Sequence, residues 1–263
     1  LKSLDPELLR KSLVEISLKA VGYLRKNFCT DEALEIVRGE TIRADLASEK
    51  IIIDSLKELD IDFQAVTEES GLVGNGKYKF IIDPLDGSVN YKSCIPWCSV
   101  SIAALSEEKD VIAGVVAPVY RDGYPFSFSR GNGCYEGDRR IKPNKGSPNI
   151  LFSYIEKLEQ ASDVAKIASR EGLKVRSLGS SALEIIYAAL NRSFAFLDLR
   201  GKLRNVDVSA SLGFLKECGG VAKNEKGDYL RIDDRMVSSV GNVIASREEK
   251  RIEKIIKILN GEA

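Results

Sequence analysis

The sequence predicts an α+β fold: an N-terminal antiparallel sheet covered by helices, followed by a smaller α/β part. Three observations carry that expectation. Two stretches with helical apolar spacing open the chain, a succession of hairpin-linked strands follows, and beyond residue 143 strands and helices alternate. Residues 143–148, rich in Pro, Asn, Gly, Lys and Ser, form the expected junction between a domain at 1–143 and one at 144–263.

Leu8 or Leu9, Leu13, Ile16, Ala20 and Leu24 fall at helical spacing, predicting an amphipathic helix over 4–28 capped by Asp5 with Pro6 at its first position. Residues 31–44, containing Gly39, read as a connection or edge segment. A second helix is expected from 45–47 to about 59, burying Ile51, Ile52, Leu56 and Leu59, with Asp45 or Ser48 at its start. A short strand at 63–67 breaks off at Glu68-Glu69-Ser70-Gly71. Gly71, Gly74 and Gly76 read as a turning link into a strand at 79–82; no strand–turn–helix unit surrounds them, so they are no nucleotide fingerprint. Strands at 99–105 and 111–120, the second interrupted at Pro118, flank a charged turn at 107–110. Arg121-Asp122-Gly123 reads as a hairpin turn with 124–130 returning, and Gly131, Gly133 and Gly137 punctuate a further pair of short strands.

Beyond the junction, strands at 149–154, 173–176 and 194–197 alternate with helices at 162–170, ended by Gly172, and at 180–190. A helix at 207–218 stops at Gly219-Gly220. A strand pair around Val221 and Tyr229, a strand at Val240 and an amphipathic helix from about 247 to 259 complete the chain.

Composition narrows the function. With 263 residues there is enough chain for a substantial core, and 39 basic against 39 acidic residues give a net charge of zero, which argues against a general nucleic-acid binder. No apolar run reaches the roughly 18 residues a membrane helix needs, and the start shows no signal-peptide pattern, so no membrane partner and a cytoplasmic location are expected. Five scattered cysteines, Cys29, Cys94, Cys98, Cys134 and Cys218, suit free thiols in a reducing compartment. The Cys94–Cys98 spacing, without a second pair, fits small buried side chains better than a zinc knuckle.

The chemistry concentrates in Asp83-Pro84-Leu85-Asp86-Gly87-Ser88, which follows the apolar Ile81-Ile82. Pro84 fixes φ and Gly87 permits tight curvature, so two acids three apart can converge on one point. Like charges that close need a cation or a shared proton. With no histidine in the chain, an all-oxygen set favours Mg²⁺ or Mn²⁺ over zinc. Elsewhere the acids are ambiguous. Glu68 and Glu69 are solvated loop residues or reach that site; Asp45 is a first-turn acid or a functional one. Asp207 reads as an ordinary helix cap unless it too joins the cluster.

Taken together, Glu68-Glu69-Ser70, the Asp83–Ser88 stretch, Gly179-Ser180-Ser181-Ala182, and Asp207 followed by Gly219-Gly220 occur in an order that identifies a resemblance. The chain resembles the inositol monophosphatase and fructose-1,6-bisphosphatase superfamily of Mg²⁺-dependent, Li⁺-sensitive phosphomonoesterases, and within it the archaeal branch that often hydrolyses both substrates. The resemblance implies a layered αβαβα sandwich. It implies Glu68, Asp83 and the Leu85 carbonyl as ligands of a first Mg²⁺, and Asp83, Asp86 and Asp207 as ligands of a second. Asp45 and Ser88, the latter standing where many relatives carry threonine, would orient or deprotonate the attacking water, with Glu68 beside a third, water-held ion. Glu69 would support its neighbour.

For the substrate, the resemblance implies phosphate contacts at Gly87 and Ser88, and Ser180 as a contact or a helix cap. Asp198 is the nearest match to an acid that holds inositol hydroxyls. The following segment departs from the animal enzymes: it is more basic, and Val206 stands where tryptophan is common. Arg200, then Arg204 and Arg176, become candidates for a second phosphate, each of them otherwise a solvated basic residue. Mn²⁺ as a substitute, inhibition by Li⁺, and a homodimer are likewise implied. The competing readings are a phosphatase for 3′-phosphoadenosine 5′-phosphate and a non-catalytic metal- or phosphate-binding relative. The retained, mutually repulsive acids argue against the second.

Overall fold

The computed structural model describes residues 5–120 and 122–262; Leu4, at the expected start of the first helix, and Arg121, in the expected hairpin turn, lie outside them. Helix α1 (Pro6–Lys26) starts where Asp5 accepts the Glu7 N–H, with Pro6 in its first turn. Leu9, Leu13, Ile16, Ala20 and Leu24 form its buried face. Each buried aliphatic side chain of this size contributes about 1.5–3 kcal/mol. After α2 (Asp31–Leu34) and a two-stranded ribbon, β1 (Ile36–Arg38) with β2 (Thr41–Ile42), helix α3 (Arg43–Glu58) packs beside α1. The ribbon and α2 occupy the stretch expected to be a connection or edge segment.

Both helices cover one face of an eight-stranded sheet. Its strands are β3 (Phe63–Thr67), β4 (Gly71–Gly74), β5 (Tyr78–Asp86), β6 (Ser99–Leu105), β7 (Val111–Pro118), β8 (Phe126–Ser129), β9 (Gly133–Glu136) and β10 (Arg139–Ile141), in the order β10-β9-β8-β7-β6-β5-β3-β4. Neighbours are antiparallel except β3 and β5, which run parallel. The sheet departs from antiparallel pairing only between β3 and β5, around the glycine-rich link. Residues 71–74 turn straight back from Thr67 and pair with β3, giving its outer backbone groups partners. The chain then crosses to the other side of β3 and enters β5 in the same direction.

Helix α4 (Ser88–Lys92) leaves the end of β5. On the sheet's second face lie α6 (Ser181–Ala189) and α7 (Asn205–Glu217). Against them stacks a five-stranded sheet, β12-β11-β13-β15-β14, made of β11 (Ile150–Ser153), β12 (Lys174–Arg176), β13 (Ala195–Arg204), β14 (Val221–Lys223) and β15 (Ser239–Ser246). Its inward side chains, Phe152, Phe196 and Val243, join Ile81, Val116 and Phe214 in one core. Outward, Leu151, Leu197 and Ile244 meet α5 (Leu158–Glu171) and α8 (Glu249–Leu259). The layers therefore run αβαβα, an α+β sandwich.

Four local expectations shift. Strand β13 continues to Arg204 instead of ending near Leu197, because β15 resumes pairing beyond an irregularity, with Leu203 opposite Gly241. Helices α3 and α7 begin two residues early, so Asp45 and Asp207 stand third in their helices and are not caps. Helix α5 begins at Leu158, ahead of the expected Ser162. Cys29 and Cys94, 65 residues apart, form a disulfide with Cα atoms 5.4 Å apart, where free thiols were expected; the ends of α1 and α4 meet there. Cys98, Cys134 and Cys218 are free and buried. Among the described residues, no helix is long and apolar enough to cross a membrane.

Helix α7 approaches the large sheet closely through Gly213. A Cβ there would lie 2.3 Å from Phe128 Cζ and 2.9 Å from Val111 Cγ1, and Phe128 is itself buried. Alanine gains about 1 kcal/mol in helix propensity over glycine, yet overpacking costs about 1–3 kcal/mol, so the clash should win. Gly213→Ala is expected to lower the thermal unfolding midpoint; a rise would show that α7 can move off the sheet freely.

Candidate active site

Register brings the acids together. In the parallel pair, Thr67 lies opposite Ile82, so Glu68, the next residue, emerges beside Asp83. Residues three apart on a regular strand point to opposite faces. Here Asp83 pairs with Ser101 but Asp86 pairs with Ser99, so β5 carries one residue more than β6 between the two acids. That bulge at Pro84-Leu85 re-aims Asp86 and lets both acids serve one site. Gly87, with φ of 87°, turns the chain into α4; a Cβ there would meet the Gly179 carbonyl oxygen at 2.8 Å. From the C-terminal part, Asp207 is held in the first turn of α7, its Oδ2 accepting the Arg204 N–H at 2.7 Å.

Oxygens of Glu68, Asp83 and Asp207 lie within 4.8 Å of one another. Asp86 stands next to them, accepting from Ser180 Oγ at 2.5 Å, the Ala182 N–H at 2.9 Å and Ser181 Oγ at 3.3 Å. Asp83 accepts the Leu85 N–H at 2.9 Å. These residues, with Leu85, Gly87, Ser88, Tyr154, Arg200 and Arg204, line a cleft of about 380 Å³. Volume does not single it out, since a groove beside Leu212 and Tyr229 measures about 440 Å³. The convergence of acids does.

Several positioning residues escaped the sequence reading. One face of α3 presents Asp45, Ser48 and Glu49, all buried. Ser48 Oγ donates to the Pro84 carbonyl at 2.7 Å, fixing the bulge, while Glu49 accepts from the Glu69 and Ser70 N–H groups and the Ser70 hydroxyl. Polar residues at i, i+3 and i+4 on a face that should be apolar were the available signal. Asn90 ties the two parts together, donating to the carbonyls of Trp97 at 2.7 Å and Leu178 at 2.6 Å. Glu184, fully buried on α6, accepts the N–H groups of Leu178 and Gly179.

The remaining candidates divide between the cleft wall, its surroundings and the surface. Asp45 accepts the Ile42 N–H at 2.7 Å, and Glu69 accepts from Thr41 Oγ1 at 2.7 Å. Ser180 is buried beneath the cleft, capping α6 and bonded to Asp86. Asp198 is fully buried and clamped by Arg200, whose Nη1 also reaches Glu156 at 3.0 Å and whose guanidinium lies over the Tyr154 ring. Arg204 Nη2 bonds Glu68 at 2.6 Å and Asp207 at 2.9 Å. Arg176, on the edge strand β12, is exposed and bonds its neighbour's carbonyl.

Burial, followed by the charges of Glu68, Asp86 and Asp207, pushes the Asp83 carboxyl well up from its ordinary range. Burial raises Asp86 to about 7 against the opposing bond from Ser180, and raises Asp45 to about 7 against the Ile42 bond. Glu68 also rises through burial, countered by Arg204. Such a site favours bound positive charge. Its donors are carboxylate oxygens in a chain without histidine, so hard divalent cations such as Mg²⁺ fit the residues present.

An acid-lined cleft between the layers of an αβαβα sandwich is the arrangement of a phosphoric monoester hydrolase. The sequence pattern of the inositol monophosphatase family matches residues 5–262, and the chain belongs to that family. It is 41% identical to an inositol-1-monophosphatase of Aeropyrum pernix over 94% of this chain and 95% of that one. It is 30% identical to a fructose-1,6-bisphosphatase/inositol-1-monophosphatase of Methanocaldococcus jannaschii over 84% and 85% of the two chains. A solved structure from Pyrococcus horikoshii, a hypothetical protein with similarities to inositol-1 monophosphatase, superposes with a TM-score of 0.83 at 28% identity, covering 96% and 98% of the chains.

Burial raises Glu184 from 4.5 to about 8. The folded protein therefore keeps a proton that the unfolded chain loses above 4.5, and this stabilisation fades as pH rises toward 8. Glu184→Gln cannot titrate. Thermal midpoints of wild type should fall relative to the variant between pH 5 and 9, and parallel curves would show that Glu184 is not protonated in the folded state.

Proposed function

We propose that this protein is a Mg²⁺-dependent phosphomonoesterase that hydrolyses both fructose 1,6-bisphosphate and inositol 1-phosphate. Residues 1–143 would carry most metal ligands, and 144–263 the last ligand and the substrate wall. The observation that carries the reading is the convergence of Glu68, Asp83 and Asp207 beside Asp86 in one cleft. Glu68, Asp83, the Leu85 carbonyl, Asp86 and Asp207 would hold the ions. Divalent cations there supply the positive charge that a phosphate dianion requires and activate water as its nucleophile.

The chain's own groups do the rest. Asp45, buried on α3 near enough to Glu68 and Glu69 to feel their charges, would act on the attacking water from behind Glu68, and Ser88 on the cleft wall offers a hydroxyl to orient it. Gly87 and Ser88, which line the cleft, would contact the ester phosphate. Arg200 supports a bisphosphate reading: of five N–H groups, its bonds to Asp198 and Glu156 leave two free for an anion. Asp198 then acts through Arg200, and Ser180 through Asp86. The names of the relatives from Methanocaldococcus jannaschii and Aeropyrum pernix agree with this substrate class. Mn²⁺ as a substitute, inhibition by Li⁺, and a cytoplasmic homodimer belong to the same proposal.

Turnover of fructose 1,6-bisphosphate, inositol 1-phosphate and 3′-phosphoadenosine 5′-phosphate with Mg²⁺ is expected to favour the first two; preference for the nucleotide would overturn the substrate assignment. Asp83→Asn should reduce kcat by at least about a hundredfold, since it removes a carboxylate charge from the set that would hold the ions, with little loss of folded protein. Near-normal turnover at saturating Mg²⁺ would sink the metal assignment. Arg200→Ala should raise KM more for the bisphosphate than for inositol 1-phosphate; equal increases would remove Arg200 from phosphate recognition.

A further inference from the structure

The guanidinium of Arg204 already occupies a cation's position. Its Nη2 lies 2.6 Å from Glu68 Oε1 and 2.9 Å from Asp207 Oδ1, with Nε 3.3 Å from Asp207 Oδ2. Glu68 and Asp207 are two of the three acids whose oxygens converge within 4.8 Å. A side chain bridging them takes up lone pairs that a divalent ion would need.

We propose that Arg204 is a built-in counter-cation, which a divalent ion must displace from Glu68 and Asp207, and which thereby sets the metal affinity of the site. The inference rests on the metal reading above and adds to it a residue that opposes loading.

Three features separate this role from simple orientation of the ligands. Asp207 is already held by the Arg204 backbone N–H at 2.7 Å, a bond that survives any change of side chain. The Arg204 side chain is 37% exposed on the cleft wall, so it has water to move into. Arg200 offers the contrast: it sits in the same wall, but its partners Asp198 and Glu156 lie outside the converging set. An arginine does not deprotonate to make way, so it must move. If only a fraction of molecules has the guanidinium withdrawn, the apparent metal affinity falls by that fraction. In exchange, three crowded carboxylates are partly neutralised by the chain itself.

The test is Mg²⁺ titration by isothermal calorimetry on the full chain, with thermal midpoints in EDTA and in saturating Mg²⁺. Arg204→Gln is expected to bind Mg²⁺ roughly 5- to 50-fold more tightly. Its midpoint should fall below wild type in EDTA, and the gain on adding Mg²⁺ should be larger. A merely orienting arginine predicts the reverse, weaker binding on removal. Equal or weaker uptake by Arg204→Gln, with wild type still binding, overturns the counter-cation role and leaves the metal site intact. Failure of both proteins to take up Mg²⁺ overturns the metal reading and this inference with it. Should Arg204→Gln not fold, Arg204→Lys keeps the charge but loses the two-pronged grip; it is expected to tighten binding by a smaller factor, and unchanged or weaker binding overturns the role equally.

Discussion

Repulsion among Glu68, Asp83, Asp86 and Asp207 is the constraint that the surrounding structure answers. Charged groups this close and this buried destabilise a fold unless each is held from behind and their joint charge is met. Asp86 is met by the start of α6, Asp83 by its own bulge, and Asp207 by the first turn of its helix. Glu68 and Asp207 share the Arg204 guanidinium. Every one of these partners is backbone, a short hydroxyl side chain or a cation. Glu68 and Asp83 are in addition hydrogen-bonded to each other, so a proton shared between these two acids also relieves the repulsion.

The layers serve that arrangement. The large sheet supplies two acid-bearing strand ends side by side, and α3 locks both from one face through Ser48 and Glu49. On the other face, α6 and α7 bring Ser180, Ser181 and Asp207 to the same point, wedged between two sheets by a shared core. The cleft thus belongs to neither part alone. Asn90, bonded to both Trp97 and Leu178, and the Glu184 cradle under Leu178-Gly179 keep the two halves in register. The small sheet extends β13 to Arg204, which pairs opposite Ser239, while Arg200 lies in the irregular stretch between Asp198 and Leu203.

Much of this was legible in the chain. Helical and strand periodicities located most elements, because burial on one face repeats along the sequence whatever lies opposite. The Asp83–Ser88 stretch announced its chemistry through residue type: two acids, a fixed φ and a glycine leave few other uses. Boundaries were less clear. Asp207 looked like a cap, and Asp45 like a cap or a first-turn acid, because an acid near a helix start favours the N-terminal end by the same electrostatics one or three residues in.

What the sequence alone determined was therefore the Asp83–Ser88 stretch, its hard-oxygen character and most of the elements, while Glu68 and Asp207 stayed ambiguous until the resemblance was drawn. Tertiary structure decided their neighbours. The bulge that re-aims Asp86 depends on how β6 pairs, the disulfide on where α1 and α4 end, and the pairing of Arg204 with Glu68 joins residues 136 positions apart. Local pattern reports that a side chain is buried or charged. Which group it meets is set by packing between distant segments, and only the folded chain brings those together.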